Sequence, residues 1–146
     1  MAQACAFNAT PICTAYDSLG PDGLAHSLNE TEVHGMFTNA DLLATLAKVI
    51  SKCPTVKLVV YDGKPAEGMM EELTAVREGL KVVSLDEVIR LGKEKPAEAR
   101  QAKRADIYCC MYTSGSSERS FVGRWSRELT DFQQEHPREC CSATGT

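Results

Sequence analysis

Apolar residues in this chain alternate between short runs rich in valine and isoleucine and longer stretches with helical spacing. The most regular helical stretch is 39–52, where five apolar residues fall on one stripe: Leu42, Leu43, Leu46, Val49 and Ile50. We predict a helix over this stretch, with the Asn39 side chain as its N-cap and Pro54 just beyond its end. A second helix is predicted over residues 65–78, before Gly79.

Five segments combine β-branched or aromatic residues with flanking turn signals: residues 10–16, 33–37, 56–61, 81–84 and 106–112. In the third, Leu58, Val59 and Val60 form an unbroken apolar run, which is typical of a strand covered on both faces. Ser84 and Glu87 then form an S-x-x-E capping box for a third helix. Strands alternate with helices in this way in α/β folds, so we predict a mostly parallel sheet with flanking helices.

Composition and charge narrow the class of protein. The chain has 146 residues, the size of about one domain, and a formal net charge of −4. No basic stripe is present, which argues against nucleic acid as a partner. No stretch approaches the ~20 apolar residues that span a bilayer, and we predict no transmembrane segment and a cytoplasmic location. The seven cysteines are odd in number and none has C-x-x-C spacing, so we interpret them as reduced structural thiols.

Candidate chemistry lies directly after the last predicted strand, in five consecutive residues: Thr113, Ser114, Gly115, Ser116 and Ser117. Small hydroxylated residues around a glycine leave backbone N–H groups accessible, and such a turn can bind an anion. The string is neither the P-loop nor the dinucleotide-binding motif, and Ser/Gly turns are common. Asp62 and the other aspartates beside glycines indicate turns. The pattern predicts no catalytic residue and no metal site.

Residues 106–117, DIYCCMYTSGSS, resemble the start of the Y-T-S-G-[ST]-[ST]-G-x-P-K-G phosphate loop of AMP-forming, adenylate-forming enzymes. Further segments resemble the same family in the same order, at residues 11–20, 24–30, 37–43 and 52–62. The chain thus resembles fungal-type long-chain fatty acid–CoA ligases over residues 1–117. We expect an internal fragment of such a ligase.

The resemblance implies that residues 1–117 are part of the N-terminal AMP-binding domain. The resemblance also implies that the ATP phosphates are bound by five consecutive residues: Thr113, Ser114, Gly115, Ser116 and Ser117. The family uses ATP with Mg²⁺, and CoA as co-substrate, to convert a fatty acid into acyl-CoA, AMP and pyrophosphate. The implied partners are these small molecules. Family enzymes are also found at the endoplasmic reticulum, peroxisome or lipid droplet.

The chain departs from the family pattern at residue 118. Glu118-Arg-Ser-Phe-Val122 stands where the family has Gly-x-Pro-Lys-Gly, and a glutamate repels triphosphate. Residues 118–146 hold four of the eight arginines and none of the eight lysines, so we predict a non-family, disordered tail, with a short helix at 125–134 as an alternative. We therefore expect an inactive chain that binds no cofactor productively.

Two other hypotheses remain open at this point. One is a small non-enzymatic α/β module that binds a partner or self-associates through exposed sheet edges. The other is a complete small nucleotide-binding protein.

Overall fold

The computed structural model describes residues 1–100, 102–103, 106–113 and 121–126. The chain divides into two compact units. The central unit is Tyr16–Ala97, and the terminal unit combines Met1–Ala15 with Glu98–Thr146.

The described residues form six strands: β1 (Ile12–Thr14), β2 (Gly35–Asn39), β3 (Leu58–Asp62), β4 (Lys81–Ser84), β5 (Ile107–Thr113) and β6 (Phe121–Ser126). The α-helices over the same residues are α1 (Ala2–Phe7), α2 (Gly20–Glu30), α3 (Leu43–Val49), α4 (Met69–Val76) and α5 (Leu85–Glu94). Short 3₁₀ turns flank α2 and α3, at Asp17–Leu19, Ala40–Leu42 and Ile50–Lys52. The alternation of strands and helices confirms the predicted α/β class.

The central unit contains a parallel three-stranded sheet in the order β2-β3-β4. Val59 in the middle strand pairs with Met36 on one side and Val82 on the other. Side chains of consecutive residues point to opposite faces of a strand, and Val59 and Val60 are 0% and 6% exposed. Both faces of β3 are therefore covered at these two residues, as predicted, whereas Leu58, the first residue of the apolar run, is 37% exposed.

The core of the central unit lies where α3 packs with α2, α4 and the sheet. Four members of the predicted apolar stripe are at most 1% exposed: Leu43, Leu46, Val49 and Ile50. Burial of one such side chain contributes about 1.5–3 kcal/mol. The stripe is confirmed, but the predicted Asn39 cap is wrong. Asn39 ends β2 in an extended conformation, a 3₁₀ turn follows it, and its side chain makes no capping hydrogen bond.

Helix α4 is shorter than the predicted 65–78. Gly68 has a φ of +79°, in the left-handed region, and helical geometry starts only after it. Helix α5 starts as predicted, because the Ser84 hydroxyl oxygen accepts a hydrogen bond from the Glu87 N–H at 3.2 Å. The polar segment after Glu94 has no regular structure in its described residues.

The terminal unit contains a second three-stranded sheet, in the order β1-β5-β6. β1 and β5 are parallel, whereas β5 and β6 are antiparallel. The predicted strands thus belong to two sheets rather than one, because pairing between residues about 100 positions apart leaves no local signal.

The prediction of a disordered tail is wrong for Phe121–Ser126, since this segment forms β6. The open edge of β5 supplies backbone hydrogen-bond partners that a local pattern cannot reveal. The alternative helix at 125–134 is contradicted at Trp125 and Ser126, and its remaining residues lie outside the described part of the chain.

Candidate functional site

The predicted phosphate-binding residues follow the central strand of the terminal sheet. Thr113 is the last residue of β5, and its Cα partner is Phe121, the first residue of β6. The residues on either side of segment 114–120 are therefore paired in the ladder. Ser114, Gly115, Ser116 and Ser117 lie outside the described residues. Of the five predicted contacts, the structure places the backbone of Thr113.

Strand β5 is anchored by its own buried residues. Cys109 and Cys110 are 5% and 4% exposed, and burial raises the pKa of the Cys109 thiol above its usual range. They lie on opposite faces of the strand, so both faces of β5 are covered at this point. The anchored strand fixes the position of Thr113, at the carboxyl end where α/β sheets bind ligands.

Thr14 is a polar residue near this end of the sheet that sequence reasoning missed. It ends β1, and its Cα partner is Met111, two residues before Thr113. The Thr14 hydroxyl oxygen is buried and has no hydrogen-bond partner within the described residues. A buried hydroxyl without a partner costs about 1–3 kcal/mol. No local sequence signal could have found it, because β1 and β5 pair across about 100 positions of the chain.

The central unit has an open cleft of about 310 Å³ at the carboxyl ends of β2 and β3. Six residues line it, and most of them are polar: Asn39, Ala40, Asp41, Asp62, Gly63 and Lys64. Asn39 and Asp62 are Cα partners, and Gly63 turns the chain away with a φ of +95°. The interpretation of Asp62 as a turn residue is wrong by one position, because Asp62 still pairs in β3 and the turn starts at Gly63; Asp22, interpreted in the same way, lies in α2. Two carboxylates against one lysine make this cleft unfavourable for a phosphate group.

Sequence reasoning missed this cleft. Its signal was the polar residues that follow two neighbouring parallel strands, since the carboxyl ends of such strands meet at one edge of the sheet.

Two further observations concern metals and membranes. Within residues 1–100, 102–103 and the described strands, no three His, Cys, Asp or Glu side chains are grouped to hold a metal ion. His26 Nε2 lies 3.3 Å from Glu30 Oε2, one turn along α2, which is a surface contact. None of the helices described in this structure is long and apolar enough to cross a membrane.

Comparison with solved structures supports the fold. The chain superposes on the adenylation domain of a carboxylate reductase from Mycobacterium chelonae with a TM-score of 0.66 and 21% identity, covering 81% of this chain and 20% of that one. It also superposes on the A-PCP didomain of a carboxylic acid reductase from Segniliparus rugosus, determined in complex with AMP. There the TM-score is 0.71 with 17% identity, over 87% of this chain and 19% of that one. Both similarities show an adenylation-domain fold.

Sequence relatives define the family. The chain is 38% identical to long-chain-fatty-acid–CoA ligase 2 of Schizosaccharomyces pombe over 116 residues, 80% of this chain and 17% of the relative. It is 34% identical to long-chain-fatty-acid–CoA ligase 4 of Saccharomyces cerevisiae over 129 residues, 77% of this chain and 19% of the relative. The chain thus spans about a fifth of the length of these relatives. Their names confirm the resemblance to fungal long-chain ligases and favour it over a non-enzymatic module. Residues 1–117 match the AMP-binding enzyme family, and the chain belongs to that family.

Proposed function

We propose that residues 1–117 form part of the ATP-binding region of a long-chain fatty acid–CoA ligase, which converts a fatty acid, ATP and CoA into acyl-CoA, AMP and pyrophosphate. The observation that carries this proposal is the extent of the family match. It runs to residue 117 and so includes all five predicted phosphate contacts. The similarity to two yeast ligases supports the choice of substrate. The compartment we propose is the cytoplasm, with membrane association of the whole enzyme.

The ATP phosphates are bound in this proposal by five consecutive residues: Thr113, Ser114, Gly115, Ser116 and Ser117. Backbone N–H groups around a glycine, with neighbouring hydroxyls, donate hydrogen bonds to phosphate oxygens. The pairing of Thr113 with Phe121 supports this role, because a loop closed by a ladder loses less conformational entropy when it binds.

Magnesium is the cofactor and CoA a co-substrate of the proposed reaction, but the described residues offer no grouped side chains for the metal. We therefore assign neither of them to a residue of this chain. Adenylation needs substrates held in line and charge stabilised at the α-phosphate. A phosphate loop by itself supplies neither, and Glu118 adds a negative charge beside it. The 146-residue chain is proposed to be inactive alone.

The test places residues 1–117 into the corresponding segment of the S. pombe ligase and measures fatty-acid-dependent ATP–pyrophosphate exchange. We expect this chimera to retain exchange. Gly115→Asp should abolish it, since a carboxylate enters a loop that binds anions. Gly92→Asp is the matched control, because a Cβ at Gly92 meets nothing within 4 Å, and it should leave exchange intact.

A second chimera carries residues 1–122 and so brings Glu118 and its neighbours with it. We expect this longer chimera to lose exchange, and the unaltered 146-residue chain to show none. A 1–117 chimera that folds with a cooperative melt but shows no exchange would refute the proposed function. Exchange that survives Gly115→Asp would refute the assigned phosphate contacts.

A further inference from the structure

Two cysteines that are far apart in sequence are neighbours in the terminal sheet. Cys13 in β1 and Cys110 in β5 are Cα partners in the parallel ladder, and each is present as a thiol. Partner residues of adjacent strands direct their side chains to the same face of the sheet. Local sequence could not show this juxtaposition, because the two residues are almost 100 positions apart.

The spacing of paired strands permits a bond between these two sulfurs. Adjacent strands lie about 4.7–4.9 Å apart, and disulfides join Cα atoms separated by about 4.4–6.8 Å. Cys109, next to Cys110, pairs instead with Ile12 and lies on the other face of β5. The ladder therefore selects Cys110 rather than Cys109 as the partner of Cys13.

The two thiols differ in exposure. Cys13 is half-buried, whereas Cys110 is only 4% exposed. An oxidant from solvent reaches the half-buried Cys13 thiol first. The buried Cys110 thiol is shielded from the oxidant and lies beside Cys13, where it can react with the oxidised sulfur. This is the arrangement of a reacting cysteine next to a resolving cysteine.

We propose that Cys13 and Cys110 form an oxidative modification site, at which a hydroperoxide converts the two thiols into an intramolecular disulfide between β1 and β5. In the first step the Cys13 thiolate attacks the peroxide, the O–O bond breaks, and Cys13 sulfenic acid and water form when the oxidant is hydrogen peroxide. The Cys110 thiolate then attacks the sulfenic sulfur, the S–O bond breaks, and a second water leaves. Two thiols supply two electrons, and one peroxide accepts them.

The disulfide would link β5 covalently to β1 at Cys110, three residues before Thr113. The side chains of partner residues in parallel strands stand side by side at about the strand spacing, whereas disulfide Cβ atoms lie about 3.5–4.5 Å apart. The strands must approach slightly to form the bond, and a disulfide of this kind is readily reduced again. We therefore expect the modification to be reversible by reduced glutathione.

The experiment uses the full chain, treated with hydrogen peroxide, alkylated and digested with trypsin without reductant. Lys48 is the first tryptic site, so Cys5 and Cys13 share peptide 1–48, and Cys109 and Cys110 share peptide 105–119. We expect these two peptides to be cross-linked in the monomeric fraction of a non-reducing gel. The cross-link should disappear after incubation with reduced glutathione.

Single variants then assign the bond. The cross-link should be lost in Cys13→Ser and Cys110→Ser and kept in Cys5→Ser and Cys109→Ser. Cys109 is the matched control for Cys110, because the two are almost equally buried. Should Cys110→Ser fail to fold, the half-buried Cys13→Ser variant decides the question. No cross-link, a cross-link that survives Cys13→Ser, or one made to peptide 139–146 instead would overturn the proposal.

Discussion

Arg77 joins the ends of two helices in the central unit. Its Nη1 atom donates a hydrogen bond of 2.6 Å to the carbonyl oxygen of Cys53, and Nη2 donates to the carbonyl oxygen of Pro54. Both carbonyls follow the 3₁₀ turn Ile50–Lys52, which ends the α3 segment. Cys53 itself is fully buried in the core. We predict that Arg77→Met destabilises the central unit.

The size of the effect follows from the two acceptors. A hydrogen bond to a charged group contributes about 1.5–3 kcal/mol when both partners are shielded from water. The bond to Pro54 is exposed, so water replaces it at little cost, whereas the bond to Cys53 is partly buried. Methionine keeps most of the aliphatic packing of arginine. One partly buried bond therefore counts, and the free energy of unfolding should fall by about 1–1.5 kcal/mol, less than for a fully shielded bond.

The assay is urea unfolding of the full chain followed by far-UV circular dichroism. This signal reports mainly the central unit, because α2, α3, α4 and α5 lie in it. Arg90→Met is the control, since the Arg90 guanidinium is exposed and pairs with Glu87 and Glu94 on the same helix. It should change stability far less. Equal losses in the two variants, or a loss below about 0.5 kcal/mol for Arg77→Met, would refute the role given to the carbonyl contacts.

Three further predictions use the same unfolding measurement. Ser84→Ala should cost about 1 kcal/mol through loss of the α5 cap, and Ser84→Asp should restore most of it. Leu46→Ala should cost about 2–5 kcal/mol, and Leu58→Ala, at a 37% exposed position, clearly less. Burial raises the pKa of Cys53, so its contribution to stability is complete below about pH 8.5 and is lost as the pH rises toward the folded-state pKa. Cys53→Val should flatten that alkaline loss, and an unchanged slope would contradict the assignment.

Local patterns predicted the central unit well. The stripe on α3, the two-sided burial of β3 and the Ser84 cap each depend on residues within one or two turns of each other. Burial of apolar side chains and satisfaction of backbone N–H groups are decided at that range, so the sequence pattern carries the information. The Asn39 cap failed for a related reason. Nothing in the pattern distinguishes an α-helical first turn from a 3₁₀ turn.

Long-range pairing was not predictable in the same way. The pairing of Cys13 with Cys110 and the division into two sheets depend on which distant strands meet. The cleft beside Asp62 was missed because its walls come from the ends of two strands. In the sequence, each of these ends looked like an ordinary turn. Residues 113–117 were proposed as phosphate contacts through family resemblance, because their Ser/Gly composition alone is too common to identify a site.

The pairing of β5 with β6 shows that strand formation and charge are separate properties of the candidate site. The family pattern places its lysine eight residues after the threonine, a position that Phe121 occupies in this chain. Phe121 nevertheless pairs with Thr113, so the departure from the family leaves strand pairing in place and changes the charge. Glu118 adds one negative charge and Phe121 removes one positive charge, and a single pair of charges at about 4 Å is worth about 4 kcal/mol near a protein surface. The 1–117 and 1–122 chimeras differ at residues 118–122, where two glycines, a proline and the lysine of the family pattern are replaced and Arg119 adds a positive charge. Their comparison therefore measures the combined effect of this departure on exchange.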